Sequence, residues 1–380
     1  MDLNEYRSKI DAIDSRLVAL FAERMETAAE IAAYKKEHHL PVLDAARERQ
    51  KLCRIAEQAP EALQDETQTL YRLLFELSRS YQNRLLGSAS PLPGEIEKAI
   101  SDTPQLFPTR AAIACQGVEG AYSQLACERL FRTPDIFYFS NFEAVFAAVD
   151  KGLCRYGIVP LENSTAGSVN AVYDLMMRYN FRIVRSVRLK VDHCLLVRPG
   201  AKLSGIREIY SHEQAIGQCS RFLQTLPDVC VVRCANTAEA AKLVAESGRT
   251  DVAALASRSC APLYGLSALA DCVQDQGSNF TRFICISRQL EIYPGADRTS
   301  LMMTLPHKPG SLARVLSRFY ALGVNLNKLE SRPLPERNFE FMFYFDLEAP
   351  VYSPQFLQLM GELGEISEDC SYLGSYSEVV

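Results

Sequence analysis

The hydrophobic period of this chain changes near residue 110, and that change rules out one kind of core throughout. Residues 2–86 carry apolar side chains at helical spacing, with no stretch that alternates as a strand does. From about 110 to 287, short apolar runs ("AAIAC", "IFYF", "GIV", "REIY", "VCVV", "VAALA", "FICIS") alternate with amphipathic stretches. That order predicts an α/β domain with a largely parallel sheet. From 299 onward the pieces read strand, helix, strand, strand, helix, strand, a ferredoxin-like βαββαβ unit. With 380 residues, division into domains is also expected on size, since single cores rarely exceed about 250–300 residues. "GSASPLPG" at 87–94 has a linker's composition. The expected boundaries are 1–87, a linker over 88–108, 109–287 and 297–376.

The formal charge of -5, with no Lys/Arg block, offers no field for nucleic acid. No apolar run approaches the roughly 20 residues of a membrane span, and the first residues lack a secretory signal's apolar core. A cytoplasmic location is the expectation. Twelve cysteines are scattered without a CxxC pair, and five histidines show no ligand spacing. Reduced cysteines in apolar surroundings are expected, and no metal.

The helical section begins with a helix expected over about 3–37. Its apolar rows are Ile10, Leu17 and Ile31, with Ile13 and Leu20 beside them. Arg24 interrupts the first row, and a third row runs Arg7, Asp14, Phe21, Ala28, Lys35. Cations therefore fall on or beside a stripe expected to be buried. Pro41 breaks the helix, and Asp44 is placed to cap the next. In a last helix over about 62–86, Leu70, Leu74, Ser78 and Gln82 form one row, which sets a polar pair on the apolar face. Intrahelical ion pairs such as Arg7 with Asp11 are one account of the charges. A shared pocket for an anion is the other, with Arg7, Arg24, Lys35 and Arg47 supplying charge and Glu48, Ser78 and Gln82 supplying hydrogen bonds.

In the α/β section, "PLENSTAGSV" at 160–169 follows the run 156–159 and is expected as a ligand loop at a strand's carboxyl end. "GVEGAYS" at 117–123 does not match a dinucleotide fingerprint. "SHEQAIGQC" at 211–219 fits a helix capped by Ser211 with Gln214 as a box-like residue. "SNFTRF" places Asn279, Thr281 and Arg282 at the opening of a strand. Taken singly, these motifs also fit turns and caps.

Residues 2–86 resemble the all-helical chorismate mutase family, through Arg7, "ERMETAAEIAAYK", "DAARER" and "SRSYQ". The resemblance implies an intertwined dimer of three-helix chains in which Arg7 reaches the partner's site. It also implies that Arg24, Asp44, Arg47 and Ser78 hold the substrate, that Lys35 and Gln82 face the ether oxygen, and that Glu48 binds the ring hydroxyl. The chemistry suits such a set, because a pericyclic rearrangement needs a held conformer and charge stabilisation rather than a nucleophile.

Residues 109–287 resemble the prephenate dehydratase family, through "GxxGAYS", "PLENSTAGSV", "SHEQAIGQC" and "TRF". That implies two α/β lobes like those of periplasmic solute-binding proteins, with the site in the cleft. Thr281 is implied as the catalytic donor to the leaving hydroxide. A threonine hydroxyl is a poor acid, so a neighbouring cation or a relay is expected beside it. Ser123, Glu162, Asn163, Ser164, Ser211, His212, Gln214, Arg282 and Phe283 are the implied substrate shell. Arg282 is a candidate carboxylate anchor or a structural strand-edge arginine, and His212 is expected to shape the pocket.

"HKPGSLARVL" and "NLNKLESRP" resemble the ACT regulatory domain of prephenate dehydratases, although position 311 is Ser where that family's motif has Ala. This implies an L-phenylalanine site at a dimer interface, built from Gly310, Ser311, Leu312, Glu330, Ser331 and Arg332. The order of the three sections is that of bifunctional chorismate mutase–prephenate dehydratases. Feedback inhibition by L-phenylalanine, a dimeric or tetrameric homo-oligomer and no cofactor are implied. The alternatives are a non-catalytic anion sensor, an enzyme with one site decayed, and arogenate as substrate.

Overall fold

The structure, a computed structural model, describes residues 2–86, 90–226, 228–334 and 340–380. The first three residues of "GSASPLPG" (87–89) lie outside them. The chain divides into two compact units, Met1–Pro93 with Leu357–Ile366 and Gly94–Phe356 with Ser367–Val380. No helix among the described residues is long and apolar enough to cross a membrane.

The first unit is built on α1 (Leu3–Glu37), α2 (Ala45–Gln58) and α3 (Gln64–Leu86). Asp2 and Glu5 form a reciprocal capping box at the start of α1. Asp44 Oδ1 accepts from the Arg47 amide at 2.9 Å and so caps α2 as expected. A short 3₁₀ turn, Glu61–Leu63, precedes α3, which therefore starts later than position 62. One expectation fails here. The apolar stripe of α1 is not buried: Leu17 and Leu20 are 56% and 63% exposed, and the buried residues of α1 are Ala28 and Ala32. A single chain supplies α3, and α3 covers only part of α1's length.

The second unit opens with α4 (Leu92–Asp102) and then holds three sheets. Its first lobe contains β1 (Ala112–Gln116), α5 (Tyr122–Leu130), β2 (Asp135–Phe139), α6 (Phe142–Asp150), β3 (Tyr156–Asn163), β4 (Gly167–Ser168), α7 (Asn170–Met176) and β5 (Arg182–Lys190). Its second lobe contains β6 (His193–Val197), β7 (Glu208–Ser211), α8 (Glu213–Gln218), α9 (Ser220–Gln224), β8 (Cys230–Arg233), α10 (Thr237–Glu246), β9 (Val252–Ser257), α11 (Cys260–Tyr264) and β10 (Ser267–Ala270). The chain returns to the first lobe through β11 (Phe280–Ser287). The C-terminal elements are β12 (Arg298–Thr304), α12 (Ser311–Ala321), β13 (Asn325–Pro333), β14 (Phe341–Glu348), α13 (Pro354–Ile366), β15 (Asp369–Tyr376) and β16 (Glu378–Val379), of which Leu357–Ile366 of α13 belong to the first unit.

The sheets are mixed, not largely parallel. In the first lobe the order is β16-β5-β11-β3-β1-β2, with β3, β1 and β2 parallel and β11 antiparallel to both β3 and β5. In the second it is β10-β6-β9-β7-β8, with β7, β8 and β9 parallel and β6 antiparallel to β9. The cause in the first lobe is the double crossing between lobes: β5 leaves and β11 returns, so β11 runs against both β5 and β3. "RIVRSVRLK" escaped the strand reading because arginines interrupt its alternation.

The expected ligand loop is also partly strand. β3 continues past Val159 to Asn163, Ser164–Ala166 form the turn, and β4 pairs back on Glu162 and Asn163. Pro160 sits inside β3, opposite a register shift between Arg282 and Phe283. A proline cannot donate to the ladder, and bulges are where sheets accommodate it.

The C-terminal sheet, β13-β14-β12-β15, is antiparallel throughout. It shares a core with the first lobe: Val159, Leu161, Tyr173 and Ile284 pack in one buried cluster with Met302, Met342, Tyr344 and Tyr376. Burying each such side chain contributes about 1.5–3 kcal/mol. Close approach carries the same point. A Cβ on Gly374, whose φ is +140°, would lie 2.3 Å from the Ile183 carbonyl oxygen.

Candidate active sites

A cavity of about 380 Å³ opens between the two lobes of the second unit. Asn163 and Thr281, paired across β3 and β11, line it with Ser123, His212, Gln214 and Phe283. The lining also includes Tyr122, His193 and Gln218. Thr281 Oγ1 accepts a hydrogen bond from Asn163 Nδ2 at 2.9 Å. With its oxygen acting as acceptor there, the hydroxyl proton is free to be donated elsewhere.

The Asn163 amide is held from several sides. Its Nδ2 also donates to Asn279 Oδ1 at 2.7 Å. Its Oδ1 accepts from the Ala166 amide at 2.9 Å and from Thr165 Oγ1 at 2.7 Å. Asn279 Nδ2 donates to Gln218 Oε1 at 3.0 Å, and Gln218 Nε2 donates to Thr165 Oγ1 at 2.9 Å. His193 Nε2 lies 3.1 Å from the same Gln218 oxygen and so donates to it. Burial lowers the His193 pKa against the raising effect of Gln218, which keeps the ring neutral. Beside Thr281 the structure places a chain of amides, Asn163, Asn279 and Gln218.

Several expected residues lie elsewhere. Side chains alternate along a strand, so Glu162 and Arg282 face away from Asn163 and Thr281. Glu162 accepts from Lys328 Nζ at 2.6 Å, and Arg282 is bonded to Asp346. Arg282 also meets Glu378 Oε2 at 3.1 Å and the Tyr376 hydroxyl at 3.1 Å. It is thus the structural arginine, not the carboxylate anchor. Burial works to raise the Glu162 pKa, but Lys328 and Arg282 outweigh it and hold the carboxyl below the ordinary glutamate value. Ser211 is the last residue of β7, not a helix cap. It is fully buried and donates to the Leu255 carbonyl at 2.8 Å. The cap of α8 is His212, whose Nδ1 accepts from the Gln214 amide. Ser164 pins the turn to the Ser278 carbonyl at 2.9 Å.

Sequence reasoning missed Gln218 and His193, and named Asn279 without giving it a role. Gln218 had a signal, because it follows Gln214 by four residues on one helix. Asn279 stood in the "SNFTRF" run. His193 had none.

In the helical unit, Arg24 Nη1 donates to the Leu74 carbonyl at 3.2 Å and to the Ser78 hydroxyl. Burial lowers the Arg24 pKa. Ser78 and Gln82 are buried on the face of α3 where their row placed them, and Gln82 Oε1 is buried without a partner among the described residues. Lys35 Nζ donates to the Val42 carbonyl at 2.6 Å. Glu48 pairs with Arg79, a cation the motif reading did not use. Arg7 and Arg47 are exposed, and Arg47 donates to Gln50 at 3.2 Å. One chain therefore gathers part of the expected set and leaves Arg7 apart from it.

In the C-terminal sheet, Gly310 is left-handed (φ +84°) and precedes α12, which begins at Ser311 and Leu312. Glu330, Ser331 and Arg332 do not share a face. Glu330 bonds Ser168, Arg332 grips Asp174 at 2.9 and 3.1 Å, and Ser331 is exposed on the other side.

The prephenate dehydratase family profile matches residues 113–291, and that of chorismate mutase type II matches residues 6–83. The bifunctional chorismate mutase/prephenate dehydratase of Escherichia coli K12 is 34% identical over 97% of this chain and 95% of its own length. An arogenate dehydratase/prephenate dehydratase 2 of Arabidopsis thaliana is 37% identical over 70% of this chain and 73% of its own. A prephenate dehydratase of Arthrobacter aurescens, solved in complex with L-Phe, superposes with a TM-score of 0.65 at 29% identity, over 70% of this chain and 90% of that one. Two profiles in one chain, and a two-activity relative matched nearly end to end, account for both sites together: the chain belongs to the bifunctional chorismate mutase/prephenate dehydratase family.

Proposed function

We propose that the helical unit rearranges chorismate to prephenate and that the cavity between the two lobes converts prephenate to phenylpyruvate, with Thr281 as donor. The observation that carries this is the Asn163–Thr281 bond, which leaves the hydroxyl proton free at the cavity wall. As the bond from the ring to the carboxylate breaks, its electron pair enters the ring and carbon dioxide leaves. The carbon–oxygen bond on the far side of the ring breaks in the same event. Thr281 donates to the departing oxygen, which leaves as water, and a proton lost from Thr281 is restored from solvent. Aromatisation drives the step, so one well-aimed donor is a sufficient demand.

In the helical unit, Arg24, Lys35, Ser78 and Gln82 would hold the dicarboxylate in its compact form, with Arg7 arriving from a second chain. The unsatisfied Gln82 oxygen and the exposed stripe of α1 support a site completed by dimerisation. The C-terminal βαββαβ elements would act as an ACT domain taking L-phenylalanine, in keeping with the L-Phe complex of the Arthrobacter relative. The test is phenylpyruvate formation from chorismate and from prephenate, with and without L-phenylalanine. Product from both, suppressed by L-phenylalanine, is expected. A higher kcat/KM with arogenate would reassign the second substrate.

A further inference from the structure

Adjacent rungs of one ladder carry two different sets of residues. Thr281 pairs with Asn163, and the next rung pairs Arg282 with Glu162. Because side chains alternate, the first rung lines the cavity and the second points at the C-terminal sheet. There Lys328 of β13 holds Glu162 at 2.6 Å, and Asp346 of β14 holds Arg282. Glu162 and Arg282 also approach each other at 3.4 Å, which closes the four charges into one cluster. None of the four lines the cavity.

The register shift of the β3–β11 ladder lies between Arg282 and Phe283, next to this rung. Bulges bend a strand and re-aim its side chains. A strand held at its charged rung is therefore held in twist at the neighbouring rung. Stability alone is a poor explanation for the cluster, since apolar replacements of buried ion pairs are often neutral or stabilising. Two further ties, Glu330 to Ser168 and Arg332 to Asp174, fix β13 to β4 and α7, which follow directly from the Asn163 turn.

We propose that Lys328 and Asp346 are positioning residues for the dehydratase step, clamping the Glu162–Arg282 rung from behind so that Asn163 and Thr281 stay aimed at the substrate. This rests on the reading of Thr281 as the donor. It gives the C-terminal sheet a direct mechanical hold on the catalytic rung within one chain.

The test uses the full chain and measures kcat and KM with prephenate. Lys328→Met is expected to lower kcat by about tenfold or more, since an ångström of misplacement can cost about a hundredfold. KM is expected to stay within about twofold, because the cavity lining is untouched. Lys328→Arg should keep most of kcat. The double variant Glu162→Gln with Lys328→Met should be no slower than the slower single variant. Asp346→Asn should behave as Lys328→Met does. It strips charge from a buried arginine, so if it does not fold, the Lys328 variants decide. Unchanged kcat in Lys328→Met overturns the proposal. So does equal loss in Lys328→Met and Lys328→Arg, a loss confined to KM, or multiplying losses in the double variant. Thr281→Ala separates the two ideas: full activity there overturns the donor assignment itself, while loss there with normal kcat in Lys328→Met overturns only the clamp.

Discussion

At the wall of the cavity between the lobes, one amide, that of Asn163, bonds Thr281, Asn279 and the turn amides together. Asn163→Ala removes the donor to Thr281 and Asn279 and the acceptor of the Thr165 and Ala166 amides, each lost hydrogen bond contributing about 0.5–1.5 kcal/mol. The expected outcome is a fall in dehydratase kcat with chorismate mutase activity retained, both assayed on one preparation. His193 gives a second residue-scale prediction. Its folded pKa is lowered from 6.5, so the unfolded chain binds a proton that the folded chain does not. Stability from this group is intact above pH 6.5 and declines as pH falls from there through the folded value. Thermal melts of His193→Asn should therefore show a flatter loss between neutral and mildly acid pH than the parent. Glu162 also loses its contribution on acidification, by the same linkage but a different cause, since cations rather than burial lower its pKa. Its folded pKa is depressed, so the contribution is complete above 4.5 and lost as pH falls through the folded value.

Among elements, β15 and α2 make opposite demands. β15 approaches β5 so closely that Gly374 cannot carry a side chain without displacing the Ile183 carbonyl. Gly374→Ala is expected to cost at least the roughly 1–3 kcal/mol of strained backbone, visible as a lowered urea midpoint of the second unit. α2 depends on its cap. Asp44→Ala should destabilise the helical unit by about 1 kcal/mol, read as earlier loss of helical circular dichroism on denaturation. If Asp44 also holds substrate, as the family resemblance implies, mutase activity will fall further than helicity does.

At the scale of the whole molecule, the exposed stripe of α1 predicts self-association. Ile10, Ile13, Leu17, Val18 and Leu20 are more than half exposed along one helix, a patch of the kind that marks an interface. Sedimentation equilibrium should give a mass of at least two chains. Leu17→Glu should shift the chain toward monomer and abolish mutase activity. A monomeric parent with full mutase activity would remove the intertwined dimer from the proposal.

Much of this was legible in residue order. The helical period of 3–37, the cap at Asp44, the row that buried Ser78 and Gln82, and the strand that presents Thr281 all follow from local rules of spacing and capping, which need only neighbours in sequence. The failures are non-local. Whether the α1 stripe is covered depends on which surfaces exist to cover it. The antiparallel turn of β5 and β11 depends on the chain crossing twice between lobes. Arg282, Glu162 and Ser211 stood in the right motifs, yet strand alternation and burial turned them from the cavity toward other partners, and Ser164 is spent on the turn. The partners themselves, Lys328, Asp346 and Glu378, lie far along the chain, so no spacing could announce them. The sequence by itself determined the family, the elements and the residue types at each site. Only the tertiary structure decided which of those residues face the cavity, because that depends on the rung, the bulge and the sheet packed behind them.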